Sequence, residues 1–142
     1  MHDMAVPDFF ESDTRREDLA WNDWPAVRAF IERERVCRIG VNDEIWPYVV
    51  AQSYRFDGNA FVMNFSRSGR LATQLARDPH CTIEIDEPLR IFPGSETLNA
   101  DYRSVLARCR AAMREIELPD KRTIIEMHAV IVKLSAKQRL RF

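Results

Sequence analysis

Two runs of aromatic and β-branched residues flank a short polar turn, which restricts the centre of this chain to antiparallel β structure. The runs are Trp46–Phe56 and Ala60–Phe65, and Asp57–Asn59 separates them. Aromatic and β-branched side chains favour the pleated, half-buried surface of a sheet. Gly58 tolerates the positive φ that a tight turn between two strands requires. The stretch therefore predicts a β-hairpin.

Further strands are predicted on both sides of this hairpin. The run Val36–Asn42 precedes it and is expected to join the two hairpin runs in an antiparallel meander. Cys81–Asp86 alternates apolar and polar residues, and Met127–Ala136 is rich in β-branched residues. Arg103–Ile116 is ambiguous, because its composition is typical of a helix whereas its period-two pattern favours a strand.

Two helices are predicted at Asn22–Arg35 and Gly69–Arg77, the first of them capped by Asn22 or Asp23, with Pro25 in its first turn. Glu87–Asp101 is predicted to be a loop, and Asp120–Glu126 a helical turn. Five or six antiparallel strands with few helices predict a mainly β fold, a β-barrel with peripheral helices.

Length and composition limit the class of protein. With 142 residues the chain is expected to form one domain at 21–142, preceded by a flexible segment at 1–20 in which Phe9 and Phe10 are candidates for docking. Its 21 basic and 22 acidic residues argue against a nucleic-acid binder. No apolar run is long enough to span a membrane. The three cysteines show no metal-binding spacing, so we predict a cytoplasmic protein without a metal site.

The segment that follows the second hairpin run is a candidate phosphate cradle. Ser66 and Ser68 offer hydroxyl groups, and Arg67 and Arg70 offer guanidinium groups that bind an anion through two hydrogen bonds. Gly69 allows close approach of the backbone, and the next helix adds the positive end of its dipole. The alternative interpretation is a solvated turn before a helix.

Four stretches, in this order, resemble one family: WPYVVAQ (46–52), MNFSRSGRL (63–71), RDPHCTIEID (77–86) and DYRSVLARCR (101–110). The chain resembles the FMN-binding split-barrel proteins related to pyridoxamine 5′-phosphate oxidase, in the branch that includes nitroimidazole-resistance proteins. The resemblance implies an antiparallel split β-barrel and favours the strand at Arg103–Ile116. It also implies a homodimer with FMN at the interface, and a flavin-dependent oxidoreductase acting on a small molecule.

The resemblance also implies a set of cofactor-binding residues. The flavin ring is expected along the second strand, against Val50, Ala51, Gln52 and Ser53, with Asn64 in the same cleft. The phosphate falls at Ser66, Arg67, Ser68, Gly69 and Arg70, and Arg103 is expected to reach a phosphate of the partner chain or to pair with Asp101.

Two positions depart from the family pattern: Leu71 stands where the family has lysine, and Phe65 where it has histidine. These departures keep two alternatives open, a cofactor-free binding or structural dimer and a binder of haem or a deazaflavin. No catalytic residue is predicted.

Overall fold

The computed structural model describes residues 5–11, 17–92 and 99–140. Two α-helices lie among them, α1 (Trp24–Glu34) and α2 (Arg70–Arg77), with a short 3₁₀ turn at Glu17–Leu19. The strands are β1 (Val36–Val41), β2 (Tyr48–Ser53), β3 (Arg55–Phe56), β4 (Ala60–Ser66), β5 (His80–Phe92), β6 (Asn99–Glu117) and β7 (Thr123–Arg139).

The described strands form one antiparallel sheet of seven strands in the order β2-β1-β5-β6-β7-β4-β3. Its two edge strands are consecutive in the chain. β2 ends at Ser53 and β3 begins at Arg55, so the single residue Tyr54 joins opposite edges of the sheet. The sheet must therefore curl until its edges meet, and the predicted antiparallel split barrel is confirmed.

Helix α1 begins and ends where local chemistry predicts. The Asp23 carboxylate accepts a hydrogen bond from Ala26 N at 3.3 Å, and Pro25 occupies the first turn. Arg35 ends the helix in the left-handed conformation, with φ +64°. The buried Tyr54 hydroxyl donates to the Ile31 carbonyl at 2.6 Å, which fixes α1 to the corner between β2 and β3.

The core fills the curl of the sheet and the space beneath α1. Large buried side chains come from the helix and from most strands, namely Trp24, Phe30, Ile31, Ile39, Phe61, Ile83, Ile85, Met127 and Leu134. Residues 5–11 lie along β7, where Leu134 N donates to Phe9 O at 2.8 Å. The rings of Phe9 and Phe10 pack on Trp24 with centroids at 5.7 and 5.0 Å.

The predicted meander is wrong in one pairing. β1 pairs with β2, and the hairpin at Asp57–Asn59 joins β3 to β4, with Gly58 at φ +98°. β4, however, pairs with β7 rather than with β2. The corner at Tyr54 carries the chain across to the other edge of the sheet, so neighbours in sequence are separated in the ladder.

Two other local predictions are corrected. The segment Asp120–Glu126 is not helical: Lys121 N donates to Leu118 O at 2.9 Å in a tight turn, and β7 begins at Thr123. The predicted loop at 87–101 is partly strand, because β5 extends to Phe92 and β6 begins at Asn99. A register shift at Pro88 accommodates the proline, which has no N–H to donate. Residues 93–98 of that loop lie outside the described residues.

Candidate functional site

The two edges of the curled sheet approach each other at β2 and β4 without forming a backbone ladder. Gln52 on β2 donates its side-chain amide to the Asn64 carbonyl on β4 at 2.9 Å. Among the described strands, β1 alone pairs with β2, and β3 pairs with β4 only as far as Val62. Backbone groups at this opening, which we call the split, therefore lack sheet partners and are available to a polar ligand.

The loop from β4 to α2 lies at one end of the split and turns tightly on itself. Ser68 N donates to Ser66 Oγ at 3.3 Å, and Gly69 N donates to Ser66 O at 3.2 Å. The two serine hydroxyls lie 3.1 Å apart. This arrangement holds both hydroxyls at the surface beside the first turn of α2.

No side chain caps α2. Gly69 is its N-cap residue, with φ −81° and ψ 172°, and it offers no hydrogen-bond acceptor to the first-turn amides. The first amides of a helix have no acceptor within the helix and carry its positive dipole end. The start of α2 can therefore accept an anion.

Arg67 of the loop and Arg70 at the start of α2 contact different parts of the chain. Arg70 Nη1 donates to Asp43 Oδ2 at 2.9 Å, and its guanidinium lies 5.4 Å from the ring centre of Tyr48. Arg67 Nη1 lies 3.8 Å from Glu115 Oε1, and both of these side chains are more than half exposed. An exposed pair at this distance contributes little, so Arg67 can turn to another anion at small cost.

A groove of about 650 Å³ lies beside Arg67, and it contains two cations that the sequence analysis missed. Asn64, Ser66 and Arg67 form one wall, and Lys121 and Arg122 of the turn between β6 and β7 belong to the other. A smaller groove of about 260 Å³ lies on the other side of Asn64 and is lined by Ser53. The two adjacent basic residues are visible in the sequence, but the prediction of a helical turn at Asp120–Glu126 gave no reason to place them beside the loop.

The other residues of the predicted cofactor site, and Leu71 beside it, lie in three different surroundings. Val50 is half-buried against the core, and Ala51 and Ser53 are exposed on the outward face of β2. Leu71, at the position of the family's lysine, is buried and does not face the groove. Arg103 contacts Glu87 at 3.5 Å and lies 5.8 Å from the Trp21 ring centre.

Within one protomer Arg103 is remote from the loop. It lies twelve positions before Glu115, the residue on β6 that Arg67 contacts. At about 3.3 Å per residue this separation is about 40 Å along the strand. The structure thus brings together Gln52, Asn64 and the loop, and it leaves Arg103 at the other end of the sheet.

The outward face of the sheet is unusually apolar in places. Exposed apolar side chains lie on β1, β2, β6 and β7, and these are Val36, Val49, Leu106, Val130 and Val132. Exposed apolar groups gathered on one face mark interaction surfaces more often than isolated ones do. We call this set the outer apolar face.

A carboxyl pair lies on the same outward surface. Arg38 Nη1 lies 3.6 Å from Glu84 Oε1 and 3.5 Å from Asp86 Oδ1. Burial, followed by hydrogen bonding to the Asp86 carboxyl and by its charge, raises the pKa of Glu84 to about 7, and Arg38 only partly opposes this. Glu84 thus holds its proton more tightly in the folded protein than in the unfolded chain.

Glu84→Gln is expected to flatten the pH dependence of stability between about pH 4.5 and 7. The pKa of Glu84 is higher in the folded protein than in the unfolded chain, so protonation of Glu84 stabilises the fold. This stabilisation is complete below pH 4.5, the ordinary pKa of the group, and is lost as the pH rises through about 7. Urea unfolding across this range measures the effect, with the exposed substitution Glu44→Gln as the matched control. An unchanged slope in the Glu84 variant would contradict the assignment.

The described residues offer neither a metal site nor a membrane-spanning helix. Residues 5–11, 17–92 and 99–140 contain no group of three or more His, Cys, Asp or Glu side chains placed to hold a metal ion. Over the same ranges no helix combines the length and apolar character needed to cross a bilayer. Cys37, Cys81 and Cys109 are buried free thiols, and burial raises the pKa of Cys37 to about 12.

Fold and site together define a small split-barrel protein in which the loop from β4 leads to a helix without a side-chain cap. The sequence matches the family described as pyridoxamine 5′-phosphate oxidase over residues 23–136, which is well over half of the chain. The protein therefore belongs to the pyridoxamine 5′-phosphate oxidase family. No curated protein matches the sequence significantly.

Solved structures share the fold at low sequence identity. A flavocytochrome from Azotobacter vinelandii superposes with a TM-score of 0.74 at 18% identity, over 90% of this chain and 72% of that one. A proposed 5-nitroimidazole antibiotic resistance protein from Bacteroides thetaiotaomicron gives 0.69 at 12%, over 84% and 86%. An FAD and heme binding protein from Mycobacterium smegmatis gives 0.69 at 10%, over 83% and 72%. At these identities the likeness concerns the fold.

Proposed function

We propose that this protein binds FMN at the split and acts, as a homodimer, as a flavin-dependent oxidoreductase on a small molecule. The observation that carries the proposal is the uncapped start of α2, which lies beside two serine hydroxyls and next to the unpaired edge of β2. A flavin nucleotide requires both features, because its phosphate needs several donors and its ring needs backbone partners along one polar edge. The family and the flavin-binding neighbours support the same assignment.

The residues present fit the phosphate of FMN. Ser66, Ser68 and the first amides of α2 supply neutral donors, and Arg67 supplies a charge that is only weakly engaged by Glu115. The buried Leu71 cannot replace the family's lysine. Lys121, across the 650 Å³ groove from Ser66, provides an ammonium group from a different part of the chain.

The ring is assigned to the split. The Gln52 side chain already bridges β2 to β4 by donating to the Asn64 carbonyl. Its amide and the backbone groups on the unpaired edge of β2 supply hydrogen-bond donors and acceptors for the polar edge of the ring. Ser53 and Asn64 line the smaller adjoining groove. Val50 supports the strand from the core side.

The outer apolar face supports the proposed pairing of two protomers. Val49 and Val132 are 59% and 65% exposed, and a twofold contact between two copies removes such surface from water. In this arrangement Arg103 serves the site of the second protomer, since it is too far along β6 to serve its own.

When bound, FMN supplies the redox chemistry by accepting or donating a hydride. This chain's residues bind the phosphate, orient the ring and exclude water. Glu126, which lines the smaller groove beside Asn64, is engaged by His128 at 3.2 Å and by Arg114 at 2.8 Å. The proposed reaction needs no acid-base pair, because hydride passes directly between cofactor and substrate.

Titration of the purified protein with FMN tests the proposal. We expect quenching of FMN fluorescence with one FMN per protomer, the visible absorption of bound oxidised flavin, and a dimer by analytical ultracentrifugation. A protein that leaves FMN fluorescence unchanged, or that takes up only haem with a Soret band, would contradict the flavin assignment. A monomer would contradict the assignment of Arg103.

A further inference from the structure

A groove of about 460 Å³ lies between the end of α1 and strand β3, and we call it the corner groove. Its lining residues are Glu32, Arg35, Tyr54, Arg55 and Phe56, none of which belongs to the outer apolar face. Tyr54 and Arg55 also line the smaller groove of about 260 Å³ to which the flavin ring is assigned. The two grooves therefore adjoin each other. The volume of the corner groove lies within the range of small-molecule sites.

Two arginines of the corner groove have no anionic partner. The side chains of Arg35 and Arg55 form no hydrogen bond or ion pair with any residue in the described ranges, although many of the surface arginines there do. The carboxylate among the lining residues, that of Glu32, is bound by Arg28 Nε at 2.7 Å. Two uncompensated cations therefore border the groove.

The end of α1 does not use these guanidinium groups. Arginine side chains near the C-terminus of a helix can donate hydrogen bonds to its last carbonyls. Here Tyr54 satisfies two carbonyls, since its hydroxyl donates to Ile31 O at 2.6 Å and its backbone N donates to Arg35 O at 2.9 Å. Both guanidinium groups are left available to a ligand.

The backbone of Arg35 is strained. Its φ is +64°, and among the described residues other than glycine only Lys121 shares a positive value. Helices commonly end in this left-handed conformation with glycine, because a β-carbon disfavours it. Strained residues of this kind cluster at binding sites, where the side chain has a use that offsets the strain.

Phe56 forms the apolar wall of the corner groove. Its ring is half-buried and is held on one side by Phe61, with the two centroids 5.3 Å apart. The Arg28 guanidinium lies 5.9 Å from the Phe56 centroid. An aromatic ring fixed in this way can pack against another flat ring, which favours an aromatic ligand.

From these features we infer that the corner groove holds the substrate of the proposed flavin site, and that this substrate is a small aromatic carboxylate. The substrate ring lies against Phe56, and its carboxylate pairs with Arg35 and Arg55, whose guanidinium groups match a carboxylate in shape and charge. The inference rests on the proposed function, because flavin in the adjoining groove is what makes this groove a substrate site.

Two probes of the same shape test the inference: 2-naphthoate, an anion, and 2-naphthamide, its uncharged analogue. Isothermal titration calorimetry measures both, with the protein alone and with the protein loaded with FMN. Wild-type protein is expected to bind one 2-naphthoate per protomer, and saturation should shift the visible absorption of bound FMN. Arg35→Gln and Arg55→Gln are each expected to weaken 2-naphthoate about tenfold and to leave 2-naphthamide unchanged.

Controls separate the groove from folding and from flavin binding. Arg77→Gln removes the same charge from an exposed position outside the groove, and should change neither probe. Arg35→Gly should weaken 2-naphthoate as much as Arg35→Gln without lowering the urea midpoint, because glycine accepts the positive φ. FMN affinity of Arg35→Gln should be unaltered, since Arg35 lines neither groove assigned to FMN.

The substrate inference and the flavin proposal can fail separately. Absence of saturable 2-naphthoate binding, or an equal effect of Arg35→Gln on both probes, would overturn the inference even if FMN binds. Bound FMN whose absorption does not respond to saturating 2-naphthoate would overturn the substrate assignment. A protein that binds 2-naphthoate through Arg35 but takes up no FMN would contradict the proposed function and, with it, the groove's role as a substrate site.

Discussion

Replacing Arg67 and Arg70 together by glutamine is expected to weaken FMN binding by about 100-fold and to leave riboflavin binding unchanged. A hydrogen bond between a guanidinium and a phosphate contributes about 1.5–3 kcal/mol, so the loss of the one from Arg67, with a smaller loss from Arg70, amounts to that factor. Riboflavin carries the same ring without the phosphate. The ratio of the two affinities, measured by fluorescence titration, therefore isolates the phosphate contact.

The single variants are expected to differ. Arg67 lines the groove with Ser66 and is weakly held by Glu115, whereas Arg70 is held by Asp43 and lies over the Tyr48 ring. Arg67→Gln should therefore account for most of the loss.

A double substitution on the helices, Arg28→Gln on α1 with Arg77→Gln in the last turn of α2, removes the same charge outside the loop and its groove and serves as the control. Equal weakening of FMN and riboflavin binding by the loop variant would show that these arginines do not hold the phosphate.

Phe61→Ala is expected to lower the free energy of unfolding by about 3–5 kcal/mol. The Phe61 ring is fully buried, and its centroid lies 5.3 Å from those of both Tyr54 and Phe56. Its removal leaves a cavity at the corner where the two sheet edges meet. For a chain of this size the melting temperature should fall by about 10 °C.

Urea unfolding, monitored by circular dichroism, measures this change. We expect a lower urea concentration at the midpoint and an unchanged dependence of the free energy of unfolding on urea concentration. Trp46→Ala is the matched control, because this large aromatic side chain is 79% exposed and its removal should cost less than about 0.5 kcal/mol. Similar losses for the two variants would contradict the assignment of Phe61 to the core.

Local features of the fold were predictable because nearby residues decide them. Asp57 and Gly58 specify the turn between β3 and β4, and Asp23 with Pro25 specifies the start of α1. The strand character of β6 was ambiguous in composition, and alternation together with family resemblance indicated the correct structure. The order of these elements predicted a β-barrel with peripheral helices, and the family resemblance implied its split form.

The pairing of strands that are distant in sequence could not be predicted from the residue pattern of each segment alone. Nothing in the sequence near Tyr54 shows that one residue takes the chain to the opposite edge, so β2 and β4 were expected to pair. The same limit applies to the site. The loop at Ser66 could be predicted as a candidate because its donors are contiguous in sequence, whereas Lys121 lies beside it only through the pairing of β4 with β7.

The order of strands also bears on how the molecule assembles. β6 and β7 are joined by a tight turn between Glu117 and Thr123, whereas Ala60 of β4 finds its partner at Val130, seventy positions later. Closing a long loop costs more entropy than closing a short one, so the hairpin forms early and β4 is placed against it late. The cleft beside Asn64 is therefore completed in the final stage of folding. FMN, in the function proposed above, is therefore expected to bind only after β4 has paired with β7, and not to the earlier folding stages.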